Sequence, residues 1–341
     1  MPAAQNLRVV LASRPEGRPK PGDFRFEHAP IPQPADGQVL LQIQYLSLDP
    51  YMRWRISAAK SYAPPIEIGD VIVGGTVARV QASRHPDWAP GDIVLSYSGW
   101  QHYALSDGSD LRRLDPAIAA PSTALGVLGM PGFTAYAGLR NIGKPQPGET
   151  VVVAAASGAV GSVVGQIARI QGARAVGIAG GPEKCAFVKN ELGFDAVVDH
   201  RAPDFAQQLA RACPDGIDVY FENVSGPVWD AVLPLLNDFA RVPVCGLIAH
   251  YNDEASAAGG PDRLPATMRE ILSRSITLRG FIQYEFVDAQ KDDFLREAAQ
   301  WIREGKLRWR EDIVDGLEQA PQAFIGLLEG RNFGKAVVRL G

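Results

Sequence analysis

The turn Ala156-Ser157-Gly158-Ala159-Val160-Gly161 holds more chemistry in its spacing than any other stretch of this sequence. It follows an apolar run, Val151 to Ala155, and opens a helical pattern from Ala159 to Gln171 that stops at Gly172. The pattern is G-x-G-x-x-G with Ala156 in the first place. Gly158 lets backbone amides approach a diphosphate, and Gly161 lets the helix lie close on the strand. The helix start around Ala159 and Val160 adds unpaired N–H groups and a partial positive charge. Strand, turn and helix at the head of a βαβ repeat form the context in which such glycines bind a dinucleotide; a plain strand-to-helix turn is the alternative.

The second strand of such a repeat decides which dinucleotide. A carboxylate about 20 residues beyond the glycines selects NAD by accepting from the ribose 2′-OH. Here the strand Ala173 to Ala179 runs into Gly180-Gly181-Pro182, with no acid at its tip. An acid would repel a 2′-phosphate, whereas glycine leaves room for one. Lys184 stands in the first turn of the next helix, where its ammonium can pair with that phosphate. Taken alone it reads as a solvated surface lysine; beside the missing acid it points to NADP(H).

Hydride exchange is chemistry the cofactor brings, and the chain must orient a substrate and stabilise developing charge. The first 150 residues hold no cysteine, and His28, His85 and His102 are scattered without ligand spacing, so no zinc site is expected. A metal-free site suits an α,β-unsaturated carbonyl. Reduction at its β-carbon moves charge onto the oxygen, where one hydroxyl or a water completes the step. Tyr51 and Tyr251 are the candidate donors; a packed aromatic with a satisfied hydroxyl is the other reading of each.

These residues need a frame. At roughly 100–200 residues per domain, 341 residues suggest two. The first third is β-rich: Val39 to Tyr45, Val71 to Val80 (with Gly74-Gly75 inside it) and Ile93 to Leu95 read as strands between Pro and Gly residues, as in a small barrel. From Thr150 onward apolar strands alternate with helices. The strands are Val151 to Ala155, Ala173 to Ala179, Ala196 to Val198, Asp218 to Phe221, Ala240 to Cys245 and Ile276 to Leu278. Helices run from Ala159, Glu183, Asp204 and Val228. Six such strands argue an α/β fold with a doubly wound parallel sheet. Tyr251 to Pro265 reads as a long loop, either functional or a surface excursion. A net charge of −4 favours neither nucleic acid nor an anionic membrane. No apolar run is long enough to span a bilayer, and Met1 to Arg8 has no secretory pattern. Cys185, Cys213 and Cys245, an odd and sparse set, suggest a reducing cytoplasm without a disulfide framework.

Several motifs together resemble the zinc-independent medium-chain dehydrogenase/reductase superfamily, and within it the prostaglandin reductase, alkenal double-bond reductase and curcumin reductase group. They are Leu48-Asp49-Pro50-Tyr51-Met52-Arg53, Gly129 to Tyr136, Ala154 to Gln166, Tyr220 to Val224, Cys245-Gly246, Tyr251-Asn252, Gly280-Phe281-Ile282 and Asn332-Phe333-Gly334-Lys335. The resemblance runs from residue 46 to 338. It implies a GroES-like β-barrel domain, residues 1–125 and 300–341, around a Rossmann domain, residues 126–299, with the active cleft between them. It also implies a homodimer, NADPH, and a small-molecule enone or enal substrate. By position it assigns cofactor contacts to Thr134, Gly158, Ala159, Val160, Gly161, Lys184, Asn223, Cys245, Gly246, Tyr251, Phe281, Ile282, Gln283 and Asn332. Core packing for Phe281 and a turn role for Asn332 are the alternatives. His200, within Asp199-His200-Arg201, replaces a residue that is often Tyr; it can stack on adenine or donate to phosphate, and Arg201 can substitute. Asp199 is unhelpful beside a phosphate. Trp54, Trp100 and Tyr62 are expected to shape the substrate pocket. The readings left open are an NADPH-dependent enone or enal reductase, an NADPH quinone reductase, and a non-catalytic NADPH-binding sensor.

Overall fold

The described strands build a two-stranded sheet, a seven-stranded sheet and a six-stranded sheet that is parallel throughout. The computed structural model describes residues 5–117, 119–253 and 262–341. The chain forms two compact units, one of Met1–Gly126, Tyr251–Glu254 and Glu311–Gly341 and a second of Val127–His250 and Ala255–Arg310.

The first unit begins with β1 (Gln5–Leu11), β2 (Phe24–Pro30) and β3 (Val39–Ser47), followed by the short helix α1 (Met52–Arg55). Strands β4 (Thr76–Ser83), β5 (Ile93–Ser96), β6 (Tyr103–Ser106) and β7 (Arg112–Arg113) follow. β1 pairs with β2, and β3 pairs antiparallel with both β4 and β6. The strand expected over Val71 to Val80 starts only at Thr76. Ile72 is bonded instead to Val9 and Trp100, and a Cβ on Gly74 would stand 3.0 Å from Leu46 Cδ1 and Met52 Cε. At Gly74 the chain passes too close to these neighbours for a regular ladder.

The second unit opens with α2 (Met130–Gly138). It continues through β8 (Thr150–Ala154), α3 (Gly161–Ile170), β9 (Arg174–Ala179), α4 (Pro182–Asn190), β10 (Ala196–Asp199), α5 (Phe205–Ala212), β11 (Ile217–Phe221), α6 (Pro227–Val232), β12 (Leu236–Val244), α7 (Leu264–Ser273), β13 (Thr277–Gly280) and α8 (Val287–Arg303). The sheet order is β10-β9-β8-β11-β12-β13, all parallel. This is the doubly wound Rossmann order, with its topological switch between β8 and β11. Every residue of β8 is buried, as a strand covered on both faces requires. α3 starts at Gly161 rather than Ala159, because Ala155 leaves β8 at φ 52 and the next five residues form the turn. α3 lies so close to the following segment that a Cβ on Gly165 would meet Phe194 at 2.0 Å. The expected boundary at residue 300 falls inside α8. Of the loop expected from Tyr251 to Pro265, residues 254–261 lie outside the described residues, and Leu264 already opens α7.

The chain then returns to the first unit with β14 (Glu311–Asp315), α9 (Ala320–Leu328) and β15 (Lys335–Arg339). β15 pairs parallel with β14 and antiparallel with β3. α9 contributes Phe324, Ile325, Leu327 and Leu328 to a core shared with Leu7, Val9, Leu46, Leu48, Met52 and Trp100. No helix among the described residues is long and apolar enough to cross a membrane.

Candidate functional site

In a parallel sheet the carboxyl ends of the strands beside the switch point are where ligands bind, and here those ends carry glycines and polar side chains. Ala156 N donates to Ile178 O at 2.9 Å, which ties the turn after β8 to β9. A Cβ on Gly161 would lie 2.4 Å from the Ala155 carbonyl oxygen, so glycine is required for α3 to close on the turn. A Cβ on Gly158 would lie 3.1 Å from the same oxygen. Among the described residues the amides of Ala159 and Val160, both half-buried, donate to no acceptor. Two unpaired amides at the start of a helix are an anion cradle.

The tip of β9 is the second element. Gly181 has φ +90, a conformation that favours glycine. A Cβ on Gly180 would lie 2.7 Å from His200 Nε2 and 3.1 Å from Arg201 Nε, so these two groups from the end of β10 stand over the glycine pair. The His200 imidazole is held below its usual range, first by partial burial and then by the positive charges of Arg201 and Lys184, with Asp199 opposing. Lys184 therefore shares this electrostatic environment although 16 residues separate it from His200. Asp199 is not aimed at a ligand with both oxygens, since its Oδ1 accepts from Gly181 N and Arg201 N, each at 2.9 Å. Burial alone would raise its carboxyl; those two amides and the nearby cations outweigh burial and hold it low.

The ends of β11 and β12 form the third element. Asn223 Nδ2 donates to Ala154 O at 2.9 Å, across the switch point, and Asn223 Oδ1 accepts from Cys245 Sγ at 2.8 Å. Gly246 N donates to Glu222 O at 3.3 Å. The Phe281 ring packs edge-on against Phe221 at 6.2 Å and would contact a Cβ on Gly138 at 2.7 Å, so the side chain belongs to the core, and Phe281 N donates to Val244 O at 3.2 Å. Ile282 N is taken by Glu285 Oε1 at 2.9 Å, and Gln283 is buried. Thr134 Oγ1 donates to Met130 O at 2.8 Å within α2, so its hydroxyl keeps only acceptor capacity.

In the first unit, Tyr51 and Tyr251 both pack half-buried against the cluster around Leu48 and Met52. The Tyr251 ring meets Trp54 edge-on at 5.2 Å. Asn332 Nδ2 donates to Gly334 O at 2.8 Å, which is a turn role. Trp100, expected at the substrate pocket, is fully buried between Phe24, stacked at 5.7 Å, and Phe324. Tyr62 is exposed.

Two family models match the chain, "N-terminal domain of oxidoreductase" over residues 8–114 and "Zinc-binding dehydrogenase" over residues 159–304. NADPH-dependent curcumin reductase of Escherichia coli (strain K12) is 57% identical over 336 residues, which is 98% of this chain and 97% of that protein. Prostaglandin reductase 1 of Bos taurus is 38% identical over 327 residues, 95% of each. The crystal structure of CurA from Vibrio vulnificus in complex with NADPH superposes with a TM-score of 0.94 at 54% identity, over 98% of this chain and 99% of that one. The chain belongs to the medium-chain dehydrogenase/reductase superfamily, in its curcumin and prostaglandin reductase-like group.

Membership in this superfamily raises the question of zinc, which the second model's description names. Among the described residues no group of three or more His, Cys, Asp or Glu side chains is arranged to hold a metal ion. The medium-chain dehydrogenase/reductase frame here also rests on polar groups that sequence reasoning passed over. Glu222 is buried, and its Oε1 accepts from Tyr220 OH, Val224 N and Ser225 N at 2.9, 2.7 and 2.8 Å, which shapes the loop carrying Asn223. Burial pushes its carboxyl up, with these donors opposing. An acid directly after the apolar strand Ile217–Phe221 was the available signal. Asp49 and Lys335 form a buried ion pair at 2.7 Å, and Lys335 Nζ also donates to Leu48 O at 2.7 Å. Ser47 Oγ donates to Asp49 Oδ2. Together they pin the turn that leads into Tyr51.

Proposed function

We propose that this chain is an NADPH-dependent reductase of the carbon–carbon double bond of α,β-unsaturated aldehydes and ketones, working without a metal. The observation that carries the reading is the glycine tip Gly180-Gly181 surrounded by Lys184, His200 and Arg201, one strand away from the unpaired amides of Ala159 and Val160. A diphosphate fits the amides and a 2′-phosphate fits the cations. Likeness over nearly the whole chain to an NADPH-dependent curcumin reductase supports the cofactor and the reaction class.

When bound, NADPH supplies the hydride that the β-carbon of the substrate receives. Gly158 and Gly161 let the backbone approach the diphosphate. Lys184, His200 and Arg201 hold the 2′-phosphate. Asn223, Cys245, Gly246, Thr134 and the 281–283 segment line the rest of the cofactor. A hydroxyl of Tyr51 or Tyr251 donates to the carbonyl oxygen as negative charge develops there. The assembly is a cytoplasmic homodimer. β13 supports the dimer: it ends the six-stranded sheet and all four of its residues are exposed, an edge a second copy can cover. Sedimentation at twice the chain mass is the expected result, and a monomer would remove that part of the reading.

The deciding assay is NADPH oxidation with butenone, nonenal and a curcuminoid, beside a quinone panel and with NADH as the control donor. Turnover of the enones and enals with NADPH, far above that with NADH, is expected. Turnover of quinones alone would replace the reading with quinone reduction, and no turnover of any acceptor would leave a binding protein.

A further inference from the structure

We propose that Cys245 is a positioning residue, whose thiol fixes the side-chain orientation of Asn223 so that one N–H and one carbonyl lone pair of that carboxamide face the cofactor. This rests on the reading of Asn223 as a cofactor contact. A carboxamide offers two donors and two acceptor sites. In Asn223 one donor is spent on Ala154 O at the end of β8, and one acceptor site on Cys245 Sγ beyond the end of β12. The side chain thus bridges the ends of three parallel strands, β8, β11 and β12, at the switch point. With both ends tied, it cannot flip, and its remaining donor and acceptor keep fixed directions.

The backbone around this pair is held by other means. Cys245 N donates to Glu222 O at 3.1 Å, Glu222 N to Pro243 O at 3.0 Å, and Ile248 N to Asn223 O at 3.2 Å. The Glu222 carboxylate holds Val224 and Ser225. Removing the sulfur therefore frees the Asn223 side chain without freeing its loop. The thiol is also suited to a site that meets electrophilic alkenes. Burial, with Glu222 adding to it, pushes its pKa far above the usual thiol range, and the protonated thiol is a poor nucleophile. A hydroxyl can take over the donor role; a methyl cannot.

Two measurements on the full-length protein test this. The first needs no cofactor: the rate at which N-ethylmaleimide labels Cys245, read by peptide mass spectrometry, in wild type and Asn223→Ala. Loss of the acceptor and of the covering side chain should speed labelling about fivefold or more. An unchanged rate overturns the pairing. The second is NADPH affinity by nucleotide fluorescence in Cys245→Ala, Cys245→Ser, Asn223→Ala and the double variant Asn223→Ala/Cys245→Ala. Cys245→Ala should weaken binding about three- to tenfold, the size of one lost orienting hydrogen bond. Cys245→Ser should stay within about twofold of wild type, and the double variant should be no worse than Asn223→Ala alone. Additive losses, or a serine variant as weak as alanine, overturn the role. Absence of NADPH binding by the wild type would instead overturn the functional reading, and the role with it.

Discussion

Gly161→Ala and Gly158→Ala separate two jobs that one glycine motif performs. At position 161 the added Cβ would stand 2.4 Å from Ala155 O, 2.8 Å from Ala155 C and 2.9 Å from Ala156 Cα. Ordinary contact of carbon with a carbonyl oxygen begins at about 3.3 Å, so α3 must retreat by roughly 1 Å. The turn cannot yield easily, because Ala156 N is bonded to Ile178 O in the neighbouring strand. Overpacking of this kind costs about 1–3 kcal/mol, and the better helix propensity of alanine returns up to about 1 kcal/mol. A net loss of about 1–2 kcal/mol lowers the melting temperature by roughly 2–8 °C for a domain of this size class. At position 158 the Cβ would be 3.1 Å from the same oxygen, a misfit of a few tenths of an ångström, so the apo protein should melt within about 2 °C of wild type. Its cost should fall on the ligand, because the methyl intrudes where the diphosphate approaches the backbone; NADPH affinity should drop about tenfold or more. Thermal scans of the apo proteins and fluorescence titrations with NADPH read both effects. If Gly161→Ala melts like the wild type, or Gly158→Ala loses as much stability as Gly161→Ala, the division of roles is wrong.

Other perturbations act on the cations and on the buried ion pair. Lys184→Ala and Arg201→Ala should each raise the NADPH dissociation constant about tenfold, as the loss of a charge-assisted bond does, and leave NADH within about twofold; equal changes for both nucleotides would move the phosphate contact elsewhere. His200 is held low in the free protein, and a bound phosphate favours its protonated form. NADPH affinity relative to NADH should then rise as pH falls through the ligand-bound pKa and level off below the free-protein pKa. His200→Asn should remove this part of the pH dependence, and a variant with the wild-type profile would exclude His200 as its source. Lys335→Met strands the buried Asp49 carboxylate, a loss of about 3–5 kcal/mol and a melting point lower by roughly 10 °C. The double variant Lys335→Met/Asp49→Leu should recover most of it in the same thermal scan, and a single-variant loss below about 1 kcal/mol would show that the pair carries little.

What could be read from the sequence was what depends on local spacing. Strands such as β8 and the turn at Gly158 and Gly161 were legible because a buried parallel strand and a tight strand-to-helix turn each need particular residue types within a few positions. The ends of elements were less so. Ala155 at φ 52 moves the start of α3 two residues onward, and nothing in alanine announces that. α7 overlaps the stretch read as a loop only at Leu264 and Pro265, and it has no buried residue to give it an apolar stripe. Gly74 and Gly75 stand inside the stretch read as a strand, but Leu46 and Met52, the neighbours of Gly74, come from distant segments, so the loss of the ladder before Thr76 was not visible. Lys335 and Asp49 lie 286 positions apart, and no local pattern joins them. Trp100 was expected at the substrate pocket, while its stacking on Phe24 makes it core.

Asp199 shows most directly why position along the chain is a weaker guide than bonding. An acid near the ribose pocket is the usual mark of NAD, and beside Lys184 and Arg201 its charge opposes theirs. Its Oδ1, however, takes the amides of Gly181 and Arg201. Those two bonds hold the left-handed turn at Gly181 and fix the backbone at Arg201, from which the guanidinium reaches back over Gly180. The carboxylate therefore builds the platform on which the cations stand. Counting the named groups, two cations against one carboxylate leave a single positive charge with His200 neutral and two once it is protonated, so a 2′-phosphate gains attraction from the same network that shapes its seat. Removing the acid would not improve such a site: Asp199→Asn should lower NADPH affinity, because the lost charge-assisted bonds to Gly181 and Arg201 outweigh the relieved repulsion.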